Sequence, residues 1–276
     1  MRIYKLLALI CSTFLFTACS SSSDDDDNDS PGGGGNGGGA GGLEITLEDA
    51  KRHAIMKIVS HQYYLGEDIG KQLDPGAVGK GVTWDFSGID LSKYILTSIV
   101  ETEGAAIDYS TSPYKDYYPD ATECYLTKWT TTELIPSQSV SYSDYYSYEK
   151  GNITYGGVQD NTKYYTGVFS STSAGVYTPG TTETYPQYLG VKYTIDAEAT
   201  MFLIPNGNVS SFDHHVDFEV DGEGTVILPN GKIFTDVLRR KNIDDAGKVE
   251  YHYISKQAGD VLRFIKGGNS INFRAD

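Results

Sequence analysis

The sequence FDHHVDFEVD, residues 212–221, decides the fold class of this chain. One set of alternate positions holds Phe212, His214, Val216, Phe218 and Val220, and the other holds Asp213, His215, Asp217, Glu219 and Asp221. An alternation with a period of two is typical of a β-strand whose two faces meet different surroundings. We therefore predict a half-buried strand here, with His214 on the apolar face and His215 on an acidic outer face.

A β-hairpin is predicted just after this strand. Residues 224–228 and 232–241 are strand candidates on either side of Pro229-Asn230-Gly231, and Asn-Gly is a strong hairpin signal because both residues tolerate positive φ angles. Other candidate strands, rich in Tyr, Thr and β-branched residues, lie at residues 81–88, 94–100, 123–132, 139–148, 153–155, 187–195, 199–204, 249–256 and 261–266. Short strands with regular turn signals predict a single all-β domain over residues 44–276, either an antiparallel β-sandwich or an open barrel.

The start of this domain is compatible with one short N-terminal helix. Thr46 and Asp49 have the spacing of a capping box, and apolar residues recur at helical intervals between Ala50 and Val59. We place a helix near residues 47–60. The run at 55–59 is equally compatible with the start of a strand, and the sequence leaves both assignments open.

The N-terminal residues resemble the export signal of a bacterial lipoprotein. Arg2 and Lys5 precede an apolar stretch over residues 6–16 that is too short to span a bilayer. Leu15-Phe16-Thr17-Ala18-Cys19 then resembles a lipobox, in which the cysteine receives a diacylglyceryl group, although Phe16 departs from the usual Leu. The resemblance implies a signal peptide at residues 1–18 and a lipidated Cys19; the alternative is an ordinary secretory signal.

The residues after Cys19 resemble the lipoprotein export signal of Bacteroidota, which sends lipoproteins to the outer face of the outer membrane. The signal is carried by Ser20, Ser21, Ser22, Ser23, Asp24, Asp25, Asp26 and Asp27. Residues 31–42 are nearly all glycine, so we expect residues 19–43 to be a flexible tether. The resemblance implies a lipid-anchored outer-membrane protein that faces the cell exterior, whereas the alternative is a solvated spacer.

Three stretches of the domain resemble an uncharacterised β-rich domain of secreted Bacteroidota proteins. They are Trp84-Asp85-Phe86-Ser87, Tyr118-Pro119-Asp120-Ala121 and residues 222–239, and the resemblance extends over roughly 190 residues. It implies a β-rich fold and a location outside the cytoplasm. It brings no catalytic residues, because none are established for such domains.

Charge and motif content exclude several classes of function. The net charge of −15 disfavours contact with phosphate backbones, so no nucleic-acid partner is expected. The chain contains no nucleophile elbow, zinc-protease motif, Cys-x-x-Cys or P-loop. With Cys11 removed and Cys19 lipidated, Cys124 is left alone and is interpreted as a small buried residue in a strand. We predict no cofactor, no metal site and no catalytic residue.

Two weaker site hypotheses remain open. His215, Asp213 and Asp217 share one strand face and can bind a metal only if a neighbouring strand adds ligands; a polar outer face is the alternative. Trp129 and the tyrosine pairs at residues 117–118, 145–146 and 164–165 are candidates for stacking on sugars. Since adjacent residues of a strand point to opposite faces, one tyrosine of each pair is expected in the core.

The sequence therefore favours a cell-surface lipoprotein with a non-enzymatic binding or structural role, whose ligand it does not identify. Its expected partners are the membrane, through the lipid anchor, and a glycan or protein at the cell surface. One alternative is a carbohydrate-binding accessory lipoprotein of a glycan-uptake system. Another is a hydrolase with an unrecognised carboxylate pair, for which two close, buried carboxylates would be the sign.

Overall fold

The computed structural model describes residues 42–66, 73–135, 139–151, 153–165, 172–178, 182–204 and 208–276. The predicted signal peptide, Cys19, and the export signal over residues 20–27 lie outside the described residues. The predicted all-β fold class is confirmed, because β-strands dominate the described chain and nearly all of them pair antiparallel. No helix in the described part of the chain is long and apolar enough to cross a membrane.

The strands are β1 (Glu44–Ile45), β2 (Ile58–Tyr64), β3 (Gly79–Asp85), β4 (Ile95–Ile107), β5 (Glu123–Glu133), β6 (Ser139–Lys150), β7 (Ile153–Tyr165), β8 (Thr172–Thr178), β9 (Thr182–Thr184), β10 (Gln187–Tyr188), β11 (Lys192–Ile204), β12 (Asn208–Ile227), β13 (Ile233–Asp244), β14 (Val249–Ser255), β15 (Gly259–Ile265) and β16 (Ser270–Arg274). Helix α1 spans Leu47–Ile55, and short 3-10 helices span Leu91–Lys93, Tyr109–Thr111 and Lys115–Tyr117.

The large sheet closes on itself. From β11 the hydrogen-bonded order runs β8, β7, β6, β5, β4, β2, β16, β15, β14, β13 and β12, and β12 pairs with β11 again. Closure is possible because β12 is long: its first half pairs with β11 as far as Glu219, and β3 occupies that side in parallel from Gly222 onward. Because a closed circuit has few free edges, this pairing satisfies backbone groups that an open sheet would expose.

Helix α1 begins as the sequence predicts and ends earlier. Thr46 is its N-cap, and the Thr46 and Asp49 side chains exchange capping-box hydrogen bonds with each other's backbone N–H groups. The helix ends at Ile55, and β2 begins at Ile58. The first part of residues 47–60 is therefore helical and the last part is a strand. Pairing of β2 with β4 and β16 supplies the tertiary preference that the local sequence lacks.

Strand β12 carries the predicted two faces. Val216, Phe218 and Val220 are buried, whereas Asp213 and Asp217 are exposed. His214 is half-buried, and its ring lies 5.3 Å from that of Tyr177. Phe212 is the exception to the pattern, being 39% exposed. The predicted hairpin at 228–231 is also confirmed, with Gly231 at φ 82° between β12 and β13.

Two apolar clusters cover the outside of the circuit. In the first, Trp84 of β3 and Phe86 pack their rings edge-on against Tyr253 of β14, at 5.2 and 5.4 Å between centroids. In the second, Tyr118 stacks on Tyr148 of β6 at 4.9 Å. Since these clusters bury the outward faces of their strands, the inward faces of the same strands are left to surround the interior.

Candidate functional site: an interior cavity

A cavity of about 240 Å3 lies inside the circuit of strands. Its walls include Val100 of β4, Tyr145 of β6, Arg240 of β13 and Asn272 of β16. These strands are spread along the hydrogen-bonded order from β6 to β13, and the cavity lies within the ring they form. For comparison, a dry engineered cavity of about 150 Å3 is large enough to take up benzene.

Helix α1 forms part of the cavity wall through Ala50, His53 and Ala54. Its C-terminal end rests on Gly104 of β4, where a Cβ atom would lie 1.9 Å from the Ala54 carbonyl oxygen. The Thr127 hydroxyl donates to that same carbonyl at 2.9 Å. A glycine is therefore needed at position 104 for the close approach of the helix to the sheet.

One side of the cavity carries buried carboxyl groups. Glu149 of β6, Thr154 of β7 and Glu183 of β9 are direct neighbours across three strands, and all three line the cavity. With a strand spacing of about 4.8 Å, the Cα atoms of Glu149 and Glu183 are roughly 10 Å apart. Glu149 Oε2 and Thr154 Oγ1 have no hydrogen-bond partner among the described residues.

Glu149 is held in an unusual state of charge. Burial raises the pKa of its carboxyl to about 7, and the negative charges of Glu123, Glu48 and Glu183 act in the same direction. Lys51 of α1 opposes the shift from 3.9 Å, but it lies closer to Glu123, at 2.9 Å. A carboxyl group that is partly protonated near neutral pH can both donate and accept hydrogen bonds.

Glu183 differs from Glu149 because it is fully engaged by its neighbours. Arg240 donates to Glu183 Oε1 at 3.0 Å, and the Tyr185 hydroxyl donates to Glu183 Oε2. The Arg240 guanidinium also lies 5.0 Å above the Phe218 ring. This buried ion pair positions the wall residues and leaves Glu149 as the carboxyl available to a bound molecule.

A second group of polar residues lines the opposite part of the wall. Arg263 of β15 and Asn272 of β16 are direct cross-strand neighbours, and both face the cavity. Ser60 of β2, on the next strand, lines the same region. Arg263 can only donate hydrogen bonds, whereas Asn272 and Ser60 can donate and accept them, so this part of the wall offers several donors beside the Asp260 carboxylate.

Behind this wall lies a buried histidine held between two carboxylates. His252 Nδ1 lies 2.9 Å from Asp260 Oδ2, and Nε2 lies 3.5 Å from Glu250 Oε2. Burial lowers the pKa of His252, but the two carboxylates outweigh it and raise the pKa overall. Burial alone would raise the pKa of Glu250, yet the His252 imidazolium lowers it to about 2. His252, Glu250 and Asp260 therefore form a buried group in which a positive charge lies between two negative charges.

The structure separates the predicted aromatic residues. Trp129 of β5 and Tyr145 of β6 line the cavity together, whereas Tyr146 packs its ring against Tyr114 on the outer face. Tyr117 is exposed and Tyr118 buried, as predicted for one member of each pair, but both lie at a 3-10 helix rather than in a strand. Tyr164 and Tyr165 lie in β7. An aromatic surface thus exists, but it faces inward.

The remaining predicted candidates lie on or near the outside of the circuit. A neighbouring strand does bring Asp196 to His215, whose Nδ1 lies 3.1 Å from Asp196 Oδ1 and whose Nε2 lies 3.9 Å from Asp217 Oδ1. The described residues contain no group of three His, Cys, Asp or Glu side chains that could hold a metal ion. Cys124 is buried in β5, as interpreted, and burial raises the pKa of its thiol to about 11.

Sequence reasoning missed Glu149, Thr154, Arg240 and Arg263 as site residues. The signal for Glu149 was present, because Ser143, Tyr145, Ser147 and Glu149 occupy alternate positions of β6. Nothing in that pattern says that this face points to the interior, because an exposed face has the same composition. Only the pairing of distant strands places these residues together.

Comparison of this chain with protein-family models, with curated proteins and with solved structures finds no match.

Proposed function

We propose that this chain is a lipid-anchored cell-surface protein that binds a small molecule in the interior cavity and does not transform it. The observation that carries the proposal is a pair of buried atoms on the cavity wall that have no hydrogen-bond partner among the described residues, Glu149 Oε2 and Thr154 Oγ1. A buried polar atom without a partner costs about 1–3 kcal/mol. A ligand that hydrogen-bonds to both atoms recovers that cost, and this gives the site its affinity.

The rest of the lining suits a small organic ligand. Apolar side chains such as Ile45, Val100 and Ile254 surround a few polar groups, which is the usual composition of a ligand pocket. Trp129 and Tyr145 add ring faces on which an apolar part of the ligand can stack. The predicted tether and lipid anchor would hold this domain at the cell surface.

A carbohydrate ligand is the second candidate. Ring faces beside hydrogen-bonding carboxyl and hydroxyl groups are the chemistry that binds sugars, and Trp129, Tyr145, Glu149 and Thr154 combine both in one cavity. The volume of about 240 Å3 suits a small sugar.

A hydrolase is disfavoured by the state of the two carboxyl groups. Glycoside hydrolysis needs two carboxyl groups free to flank the scissile bond. Glu149 meets this need, but Glu183 is engaged by Arg240 and Tyr185. The pair therefore supplies a binding group and a structural ion pair instead of an acid and a base.

Tryptophan fluorescence provides the test, because the chain has two tryptophans and only Trp129 lines the cavity. The full-length chain is titrated with monosaccharides and with small aromatic and organic acids. We expect a change in emission with at least one compound in the wild type and no change in Trp129→Phe, which keeps Trp84. Thr102→Leu, which places a larger apolar side chain in the cavity, should abolish binding without unfolding the protein.

Product analysis of the same mixtures completes the test. Consumption of any compound by the wild type, lost in Glu149→Gln, would overturn the non-enzymatic role. A binding signal that survives in Thr102→Leu would show that the ligand sits elsewhere.

A further inference from the structure

Arg263 is the cavity residue whose charge is least compensated. Across the described residues, its guanidinium donates no hydrogen bond and forms no ion pair within 4 Å, although its charge helps to lower the pKa of Glu250. Glu250 lies nearer to His252, with Oε2 at 3.5 Å from Nε2. Arg263 is half-buried, so part of its charge faces the cavity, where an anion would compensate it. Arg263 therefore points to an anionic group on the ligand.

The neighbours of Arg263 fit a carboxylate. Asn272 lies directly across from it on β16, and Ser60 lines the adjoining wall from β2. A guanidinium presents parallel N–H donors that match the two oxygens of a carboxylate, and an amide and a hydroxyl add further donors. A phosphate dianion fits less well, because Glu149, Glu183 and Asp260 line the same cavity and would repel a second negative charge.

The opposite wall of the cavity calls for a hydrogen-bond donor on the ligand. Glu149 Oε2 and Thr154 Oγ1 accept and donate no hydrogen bond among the described residues, and Lys51 approaches Glu149 Oε2 only to 3.9 Å. They lie on β6 and β7, across the cavity from β15 and β16. Glu149 is an acceptor in its ionised form, and an amine or a hydroxyl would satisfy it. The rings of Trp129 and Tyr145 lie on the Glu149 side of the same cavity.

We propose that the ligand is a small carboxylic acid with an apolar or aromatic body and an amino or hydroxyl group, bound with its carboxylate on Arg263 and Asn272 and its donor on Glu149 and Thr154. This assignment rests on the proposed function, since it names the ligand class of the same cavity. Amino acids with apolar side chains are the simplest members of this class.

Three matched probes test the carboxylate and the amino group of the ligand separately. Phenylalanine carries both charged groups, 3-phenylpropionate lacks the amine, and phenethylamine lacks the carboxylate. Binding to the full-length chain is followed by Trp129 fluorescence and by calorimetry. Phenylalanine is expected to bind most tightly, and each single-group probe about tenfold or more weakly, because each loses one charged hydrogen-bonding group.

Two variants then test which side chain binds the carboxylate and which binds the amino group. Arg263→Gln should weaken phenylalanine and 3-phenylpropionate about tenfold or more and leave phenethylamine unchanged, which also shows that the variant is folded. Glu149→Gln should weaken phenethylamine and leave 3-phenylpropionate unchanged. Equal binding of 3-phenylpropionate by the wild type and Arg263→Gln would overturn the proposal.

The outcomes also distinguish a failure of the proposed ligand class from a failure of the proposed binding function. If neutral sugars bind in the cavity while none of the three probes does, the ligand class is wrong and the binding function stands. If no compound of any kind alters Trp129 in the wild type, both proposals fail together.

Discussion

At the scale of single residues, the outer face of the circuit depends on a buried ion pair. Arg239 is 1% exposed and donates to both oxygens of Asp221, at 2.7 and 3.0 Å. It also donates to the carbonyls of Pro75 and Gly76 and lies 5.4 Å from the Trp84 ring. One side chain therefore ties the loop before β3 to the strands beneath it.

Asp221→Ala should be strongly destabilising, because it leaves the Arg239 guanidinium buried without its anion. We expect the free energy of unfolding, measured by urea denaturation, to fall by about 3–5 kcal/mol. The control is Glu219→Ala on the same strand, which breaks an exposed pair with Lys192 at 2.8 Å and should cost less than about 1 kcal/mol. Similar losses in the two variants would contradict this account of Arg239.

Glu149 makes the stability of the fold depend on pH. Its pKa rises from 4.5 in the unfolded chain to about 7 in the fold. Between these values the folded state binds more protons than the unfolded state, so the free energy of unfolding falls as the pH rises through this window. Glu149→Gln removes the ionisation and should be about 3 kcal/mol more stable than the wild type above pH 7.5, and equal to it near pH 4.

Urea denaturation across pH 4–8 measures this difference. Glu123→Gln is the control of opposite sign, because Lys51 lowers the pKa of Glu123, so that carboxylate stabilises the fold above pH 4.5. Its removal should lower stability slightly at neutral pH. A pH profile of Glu149→Gln that parallels the wild type would show that another group controls the window.

At the scale of elements, α1 is placed by a single glycine. A methyl group at Gly104 would collide with the Ala54 carbonyl, so Gly104→Ala should displace the end of the helix and cost about 1–3 kcal/mol of stability. Gly88→Ala is the matched control, because a Cβ there meets nothing within 4 Å. Since α1 lines the cavity, a soluble quencher should also reach Trp129 more readily in Gly104→Ala than in the wild type. In Gly88→Ala the quenching should equal that of the wild type.

The elements differ in how far the sequence predicts them. The alternation at residues 212–221, the Asn-Gly turn and the Thr46 capping box are local, and each is confirmed because neighbouring residues determine it. The end of α1 at Ile55 is not local, since residues 55–59 suit either state and pairing with β4 and β16 decides between them. Closure of the sheet is wholly non-local, because β12 changes partner from β11 to β3 near Asp221.

The candidate site follows the same rule. Trp129 and Tyr145 attract attention as aromatic residues in predicted strands, and the alternation places them on a defined face. The sequence does not reveal that this face is internal, or that Arg263 and Asn272 lie on the opposite wall of the same cavity. The residues that carry the proposed binding come from six strands, β2, β5, β6, β7, β15 and β16, and no spacing along the chain encodes their meeting.

At the scale of the whole molecule, the predicted lipid anchor would determine where the cavity works. Cys19→Ala should abolish acylation and leave the protein soluble or unprocessed. Metabolic labelling with a fatty acid, followed by membrane fractionation, measures both effects. Cys124→Ala is the control. The Cys124 thiol is buried in β5 and should not be acylated, so this variant should be labelled like the wild type. Label retained in Cys19→Ala would place the lipid elsewhere or refute the lipidation.

The acidic run after Cys19 is predicted to decide which side of the outer membrane the domain faces. Replacing Asp24, Asp25, Asp26 and Asp27 by Ala removes the charges that resemble the export signal and keeps Cys19 and the glycine-rich tether intact. Lipidation should therefore be unchanged, whereas the protein should be retained on the periplasmic face. Protease treatment of whole cells measures this, because only surface-exposed protein is cleaved.

The control replaces the same four aspartates by Glu, which keeps the negative charge of the run. If charge is what the export machinery reads, the Glu variant is cleaved on whole cells like the wild type and the Ala variant is protected. Equal cleavage of all three proteins would show that the run is only a spacer. Cleavage of the Ala variant only after the outer membrane is opened would show that residues 24–27 direct the domain to the surface, where the cavity would meet external ligands.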